Sequence, residues 1–391
     1  MQDTIVLYNR FPDTTHNKQN MIYFENAARG EEGFNTHLMS YTFCISFSNF
    51  LDRPFYLEYE IPCSTPPDYA SRDEYRDKFA VLLNSERSIV SQLVDMPVNR
   101  VFEIDRTPEN KAEYQLLHSY FATTEEMRAK FGHTAIWDFF GFGRTALTRE
   151  DLMGYDLIEW THSNLAHPSC FYFLPRADKL ELLRQARIKF IEPIEKLASA
   201  IIDQFGQYYA VHTRLGDFLS NYSPDEYSVN KDRYTKYIAA TFPDRSLPVL
   251  IATDALYEKP MFAEIFEGYK TVFIDEMIFE DFRDGYHALP FTDFNSLTIL
   301  NQLICAAADT FIGTYRSTFT SIIHRLRQER HNKKDFNYFP DNRVATLLGP
   351  DMKITKDRSG FFDWNRYSVF IEDHVALSWK REWDFDYTSI G

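Results

Sequence analysis

Residues 301–323 read NQLICAAADTFIGTYRSTFTSII, and the order of elements in this stretch sets the class of fold. Leu297, Leu300, Leu303, Ile304 and Ala307 recur at helical spacing, and the run ends at Asp309. Thr310–Ile312 is short and apolar, as a buried strand is, and Gly313 breaks it into a hydroxyl-rich turn ahead of another helix. The expected order is therefore helix, strand, turn, helix. Thr314, Ser317, Thr318 and Thr320 stand where the new helix must leave its first N–H groups without intrahelical partners. Hydroxyls and amides then gather at the positive end of a helix dipole, which suits a phosphate. The same residues also make an ordinary Ser/Thr helix cap, and the stretch alone leaves both readings open.

The chain on either side repeats the alternation. Tyr208–His212 is an apolar strand running into HTRLGDF, followed by a helix over 231–241 and a strand Val249–Ala252 that closes on Thr253 and Asp254. A helix over 257–267, a strand Thr271–Ile274 and a helix over 293–308 complete the set. Strands separated by helices imply a parallel sheet, and such sheets bind ligands at the carboxyl ends of their strands. His212, Asp254 and Gly313 all fall at such ends. Arg214 offers a planar fork that can hold a diphosphate through two bonds, with Asp217 able to orient it. A structural Arg–Asp pair beside a core histidine is the other reading of HTRLGD.

Nearer the N-terminus, Met21–Glu25 reads as a strand, 27–35 as a loop holding Gly30 and Gly33, Leu38–Leu51 as a helix and Pro54–Tyr59 as a strand. This is a second βαβ pattern with a glycine-bearing first loop. Residues 62–82 are rich in Pro, Asp, Ser and Arg and read as an excursion over the surface, and 110–130 and 178–204 read as helical. The expectation is an α/β chain of two domains, an N-terminal one over 1–205 and a C-terminal one over 206–391.

Composition narrows the function classes. At 391 residues the chain is long enough for two domains that each bury a core. A net charge of -15 argues against binding to nucleic acid, because a phosphate-backbone binder is basic. Aromatic residues reach 16%, enough for large cores and for surfaces on which rings or sugars stack. The four cysteines, Cys44, Cys63, Cys170 and Cys305, are too scattered for a disulfide framework or a zinc site. Cys44 and Cys305 lie in apolar helical patterns and are expected as buried free thiols. The opening MQDTIVLYNRFPD lacks a basic start and a long apolar core, and no apolar run has membrane-spanning length. A cytoplasmic setting is expected, with the ER or Golgi lumen as the alternative for a trimmed chain. No GxGxxG or Walker loop sits at a strand-to-helix turn, which argues against an oxidoreductase or a P-loop enzyme.

Three motifs taken together resemble a known family. Glu32-Gly33-Phe34-Asn35 in the first loop, the HxR of VHTRLGDFL, and FIGTYRSTFTSII are similar to the three signature regions of the GDP-fucose protein O-fucosyltransferases. The likeness is greatest to the branch that modifies thrombospondin repeats, which shares the Gln-x-Ile-Cys-Ala spacing seen at Gln302–Ala306. The three regions lie in order across 21–330, while 60–200 and 335–391 carry no matching motif.

The resemblance implies a GT-B architecture, two Rossmann-like domains with parallel sheets facing across a nucleotide-sugar cleft. It also implies inverting, metal-independent transfer of fucose from GDP-fucose to a protein or glycan hydroxyl, with no cofactor. On this reading Glu32 is the base and Arg214 the leaving-group residue. Glu31, Gly33, Phe34, Asn35, His212, Asp254, Asn301, Ser317, Thr318 and Phe319 surround the nucleotide sugar. One departure stands out, because the family places an aspartate that accepts from guanine N1 and N2 where this chain has Asn301. An amide has one acceptor and one donor, so the doubled acceptance is lost and guanine preference is open. A different nucleotide sugar, or a non-catalytic sugar-nucleotide-binding protein, are the alternatives.

Overall fold

The computed structural model describes residues 4–8, 21–26, 33–53, 55–59, 66–95, 114–116, 157–161, 188–216, 231–314, 317–331 and 335–338. Those within Met1–Ser64 and Ile89–Lys189 form one unit, and those within Thr65–Ser88 and Phe190–Lys380 form another. Each carries its own five-stranded sheet with helices, so the α/β class expected from the alternation holds.

The first unit contains β1 (Thr4–Tyr8), β2 (Met21–Asn26), helix α1 (Phe34–Leu51), β3 (Phe55–Tyr59), β4 (Tyr114–Leu116) and β5 (Leu157–Thr161). Their order in the sheet is β3-β2-β5-β1-β4. Strand β2 runs parallel to β3 and β5, whereas β1 is antiparallel to β4 and β5, so this sheet is mixed where a parallel one was expected. The βαβ unit β2-α1-β3 is the one read from sequence. Its helix begins at Phe34, because the Gly33 carbonyl already accepts from Thr36 N at 3.0 Å. It ends at Asp52, in the left-handed conformation that closes many helices. Tyr114–Leu116 is a strand where a helix over 110–130 was expected, since three residues read by periodicity do not outweigh pairing with β1. The rest of 110–130 lies outside the described residues.

The second unit contains α2 (Glu192–Phe205), β6 (Tyr209–Thr213), α3 (Lys231–Thr241), β7 (Val249–Thr253), α4 (Lys259–Ile265), β8 (Thr271–Phe273), α5 (Ile274–Asp281), α6 (Phe294–Ala307), β9 (Thr310–Thr314), α7 (Thr318–Arg330) and β10 (Asp335–Tyr338). All five strands are parallel, in the order β10-β9-β6-β7-β8. Strands β6 and β7 are buried along their whole length, which is why they read as unbroken apolar runs. On one face Tyr209, Val211, Val249 and Ile251 pack with Tyr234 and Ile238 of α3 and Phe262 and Ile265 of α4. On the other, α6 meets α2 and α7, and Arg327 donates to the carbonyls of Ala306 (2.9 Å) and Ala308 (2.7 Å), satisfying the C-terminal end of α6. Helix α2 has its start and stop written locally, with Pro193 in the first turn and Gly206 at positive φ after the last. It occupies the end of the 178–204 stretch expected as helical, while 188–190 are not helical.

Residues 62–82 were expected to run over the surface, and the structure corrects this for the part it describes. Tyr69, Ala70, Tyr75, Phe79 and Leu82 are buried in the second unit, with short helices at Asp73–Arg76 and Ala80–Leu83. Phe79 meets the Phe279 ring of α5 at 4.8 Å and the Tyr69 ring at 5.0 Å. The intervening Arg72, Asp73, Glu74, Arg76 and Asp77 are exposed, so averaged polarity hid an inward-facing set of rings. Cys44 and Cys305 are buried free thiols, as expected. Among the described residues no helix is long and apolar enough to cross a membrane.

Candidate functional site

The carboxyl edge of the second sheet is built by hydrogen bonds between three strand ends. His212, the fourth residue of β6, places its ring against α7, where Nδ1 shares a 2.7 Å hydrogen bond with Thr320 Oγ1 and the ring stacks on Phe319 at 4.3 Å. Thr314 ends β9. Its hydroxyl donates to the His212 carbonyl at 2.8 Å and accepts from Arg214 N at 3.0 Å, and its own N–H donates to Thr320 Oγ1 at 3.1 Å. Strand β6, strand β9 and the first turn of α7 are thereby tied into one corner.

Gly313 makes that corner possible. A Cβ added there would overlap the Thr320 side chain and press on the Phe311 ring, so only glycine lets α7 approach β9 this closely. Two expectations are corrected here. Gly313 and Thr314 continue the strand rather than break it, and the Thr314 and Thr320 hydroxyls are spent on the backbone and His212 rather than turned to a ligand. Ser317 occupies the N-cap of α7 and is buried, yet its hydroxyl makes no capping bond. The first-turn amides at 318–320 are left for an acceptor from outside the helix.

Asp254, just past β7, is buried and faces the turn after β6. Oδ1 accepts from Leu215 N at 2.8 Å, and Oδ2 accepts from Gly216 N at 3.1 Å and pairs with Arg214 Nε at 3.1 Å. Arg214 is half-buried. Asp217, the partner expected from sequence, lies outside the described residues.

A second polar cluster joins α5, α6 and Tyr69. Asn301, in the middle of α6, donates through Nδ2 to Asp275 Oδ1 at 2.6 Å and to the Leu297 carbonyl at 2.9 Å. Tyr69 donates its hydroxyl to Asp275 Oδ2. Burial pushes the Asp275 carboxyl up to about 6, against the pull of the Tyr69 and Asn301 hydrogen bonds. Burial, then the Asp275 charge, raises the Tyr69 phenol well above its ordinary value, and Asp254 adds to that push. Asn301 is thus turned inward, with both amide hydrogens engaged. Neither Asp275 nor Tyr69 was among the residues expected at the site. Asp275 could have been found by the rule that found Asp254, since each is an acidic residue within two positions of a strand's carboxyl end.

The N-terminal motif belongs to the first unit. Gly33 is exposed at the start of α1, Phe34 is buried and Asn35 half-buried in its first turn, so the glycine loop ends two residues earlier than expected. Glu31 and Glu32 lie outside the described residues. The structure brings His212, Arg214, Asp254, Ser317, Thr318 and Phe319 to one sheet edge, and engages Asn301 with Asp275 instead. Among the described residues no group of three His, Cys, Asp or Glu side chains is arranged to hold a metal ion.

Several solved fucosyltransferase structures are similar at low sequence identity. POFUT1 in complex with GDP aligns over 83% of this chain and 99% of its own at 10% identity, with a TM-score of 0.45. Fucosyltransferase NodZ from Bradyrhizobium aligns over 79% and 93% at 13% identity and a TM-score of 0.39. A mutant of Arabidopsis thaliana FUT1 in complex with GDP aligns over 84% and 73% at 9% identity and a TM-score of 0.44. No curated protein matches the chain. The model of the family described as GDP-fucose protein O-fucosyltransferase matches residues 31–330, a span that takes in all three motifs. The chain therefore belongs to the GDP-fucose protein O-fucosyltransferase family, and is a glycosyltransferase of the fucosyltransferase class.

Proposed function

We propose that the protein is an inverting, metal-independent fucosyltransferase that moves fucose from GDP-fucose to a hydroxyl of a protein or glycan acceptor. Family membership carries the GT-B class of fold, and the α/β character of both units agrees with it. The observation that carries the reading is the corner at the carboxyl edge of the second sheet. Arg214, held by Asp254, shares that corner with the amide-rich start of α7. Both are suited to the charge that grows on a departing diphosphate.

In the proposed reaction the Glu32 carboxylate takes the proton of the acceptor hydroxyl as its oxygen attacks the anomeric carbon of fucose. The bond from that carbon to the β-phosphate oxygen breaks, and GDP leaves with the electron pair. Attack opposite the leaving group inverts the configuration. The Arg214 guanidinium and the first-turn amides of α7 receive the new negative charge, a task a metal performs elsewhere. His212 and Phe319, stacked on each other, flank the nucleotide in this reading, and the family resemblance assigns Phe34 and Asn35 to the donor sugar.

One observation favours a second reading of the donor. With both Asn301 hydrogens engaged internally, this side chain offers a base only its Oδ1. A single acceptor does not select guanine in the way a carboxylate does, so the same chemistry with another nucleoside diphosphate sugar is the alternative. A panel of GDP, UDP, ADP and GMP in thermal-shift assays, with hydrolysis of the corresponding sugar nucleotides, tests both. GDP is expected to raise the melting temperature most and GMP distinctly less, because the diphosphate carries much of the contact. Equal shifts for GDP and GMP, or none for any nucleoside diphosphate, overturn the proposal, and a larger shift with UDP or ADP selects the alternative.

A further inference from the structure

The polar contacts of Asp254 described above reach three successive residues, two by hydrogen bonds from Leu215 N and Gly216 N and one by the ion pair with Arg214 Nε. Two are backbone amides that would otherwise form an anion cradle after β6. Their engagement by a carboxylate means that this turn does not bind phosphate through its main chain. It presents the arginine instead.

The third contact, an ion pair at 3.1 Å, lies at Nε and so bears on how the arginine is presented. A guanidinium is planar, so holding Nε sets the plane and with it the direction of the two terminal nitrogens, which are the pair that matches two phosphate oxygens. The main chain of Arg214 is held independently from the other side, by the Thr314 hydroxyl at 3.0 Å. Backbone and side chain of one residue are therefore anchored from β9 and β7 respectively. We propose that Asp254 is a positioning residue, which acts through Arg214 by orienting its fork for the leaving diphosphate. This rests on the role given to Arg214 above and extends it to a residue that does not itself meet the donor.

An amide at 254 keeps an acceptor for Leu215 but turns N–H donors toward Gly216 N and Arg214 Nε, releasing the guanidinium plane. Because orientation matters most when charge has moved onto the diphosphate, D254N is expected to lower kcat with GDP-fucose on the order of 10- to 100-fold, with KM changed by less than about threefold. In an R214K background, which has no fork to orient, the further loss from D254N is expected to be less than about threefold. D254E gives a second cycle with R214K should D254N fold poorly. The Arg214 Nε–H resonance is expected to shift and broaden in D254N relative to the unmodified protein. Pyrophosphate, used in thermal-shift assays beside GDP, is expected to stabilise the unmodified protein more than D254N.

Losses that multiply in full across D254N and R214K, or a D254N loss confined to KM, overturn the proposal and make Asp254 a direct donor contact. So does an unmoved Arg214 Nε–H signal. If GDP and GDP-fucose prove inert while pyrophosphate still stabilises the protein in an Asp254-dependent way, the donor assignment fails and this inference stands. Pyrophosphate without effect on the unmodified protein overturns this inference.

Discussion

At the scale of single residues the proposed chemistry divides between two side chains that should fail differently. Arg214→Ala is expected to remove nucleotide binding and turnover together, because the guanidinium meets the diphosphate in both ground and transition states. Glu32→Gln should leave the GDP-induced rise in melting temperature intact and abolish transfer, since a base is needed only when the acceptor attacks. Transfer that survives Glu32→Gln would move the base elsewhere. Gly313→Ala probes the corner itself. A methyl there meets Thr320 and Phe311, so a loss of about 1–3 kcal/mol is expected by denaturant unfolding, typical of an overpacked site. An unchanged midpoint would mean that β9 and α7 separate freely. Arg214, His212 and the run Ser317–Phe319 were legible in the sequence, because each stands at a strand end or a helix start and those positions follow from local pattern. The inward turn of Asn301 was not, because its partner Asp275 is 26 positions away and only packing brings them together.

At the scale of elements, the start of α5 carries a buried carboxyl whose titration should be visible in stability. The folded value for Asp275 is raised to about 6, above that of the unfolded chain, so the native state holds this proton more tightly. Its contribution is then fully present below about pH 4 and is lost as pH rises through about 6. Other carboxylates give the opposite trend, so the useful quantity is the difference between the unmodified protein and Asp275→Asn. The melting temperature of the former is expected to fall relative to the variant between pH 4 and 7, and parallel curves would show that Asp275 ionises as an ordinary surface acid. Tyr69, which donates to the same carboxyl, comes from a stretch whose composition reads as surface. Composition averages over a segment, whereas burial is decided one side chain at a time, and the rings at 69, 75 and 79 turn inward while the charges between them stay in water.

At the scale of the molecule, the chain enters the second unit twice. Thr65–Ser88 joins it before the sequence returns to the first unit at Ile89, and Phe190 begins the second entry. The early segment is bound at its end by the Asp293 carboxylate, which accepts from Ser88 N at 2.7 Å and from Ser296 N at 2.9 Å, so one residue caps α6 and anchors the insertion. Phe79→Ala is expected to cost the second unit about 3–5 kcal/mol, the usual penalty for emptying a buried ring site. Hydrogen exchange should show protection lost in α5, against which this ring packs. Unaltered exchange in α5 would detach the insertion from that core.

The sequence by itself determined the alternation of the second unit, from β6 through β7, α6 and β9 to α7. Buried parallel strands are continuous apolar runs, and the helices between them keep a 3.6-residue period, so both are written in nearest neighbours. It also determined the family, since three short motifs in order survive where little else does. Only the tertiary structure decided which polar groups spend their hydrogen bonds on one another. Asp254 is committed to the turn after β6, Asn301 to Asp275, and Thr314 and Thr320 to the corner around His212. Those pairings join residues far apart in the chain, and a buried donor or acceptor takes whichever partner folding brings within 3 Å, information that no local pattern contains.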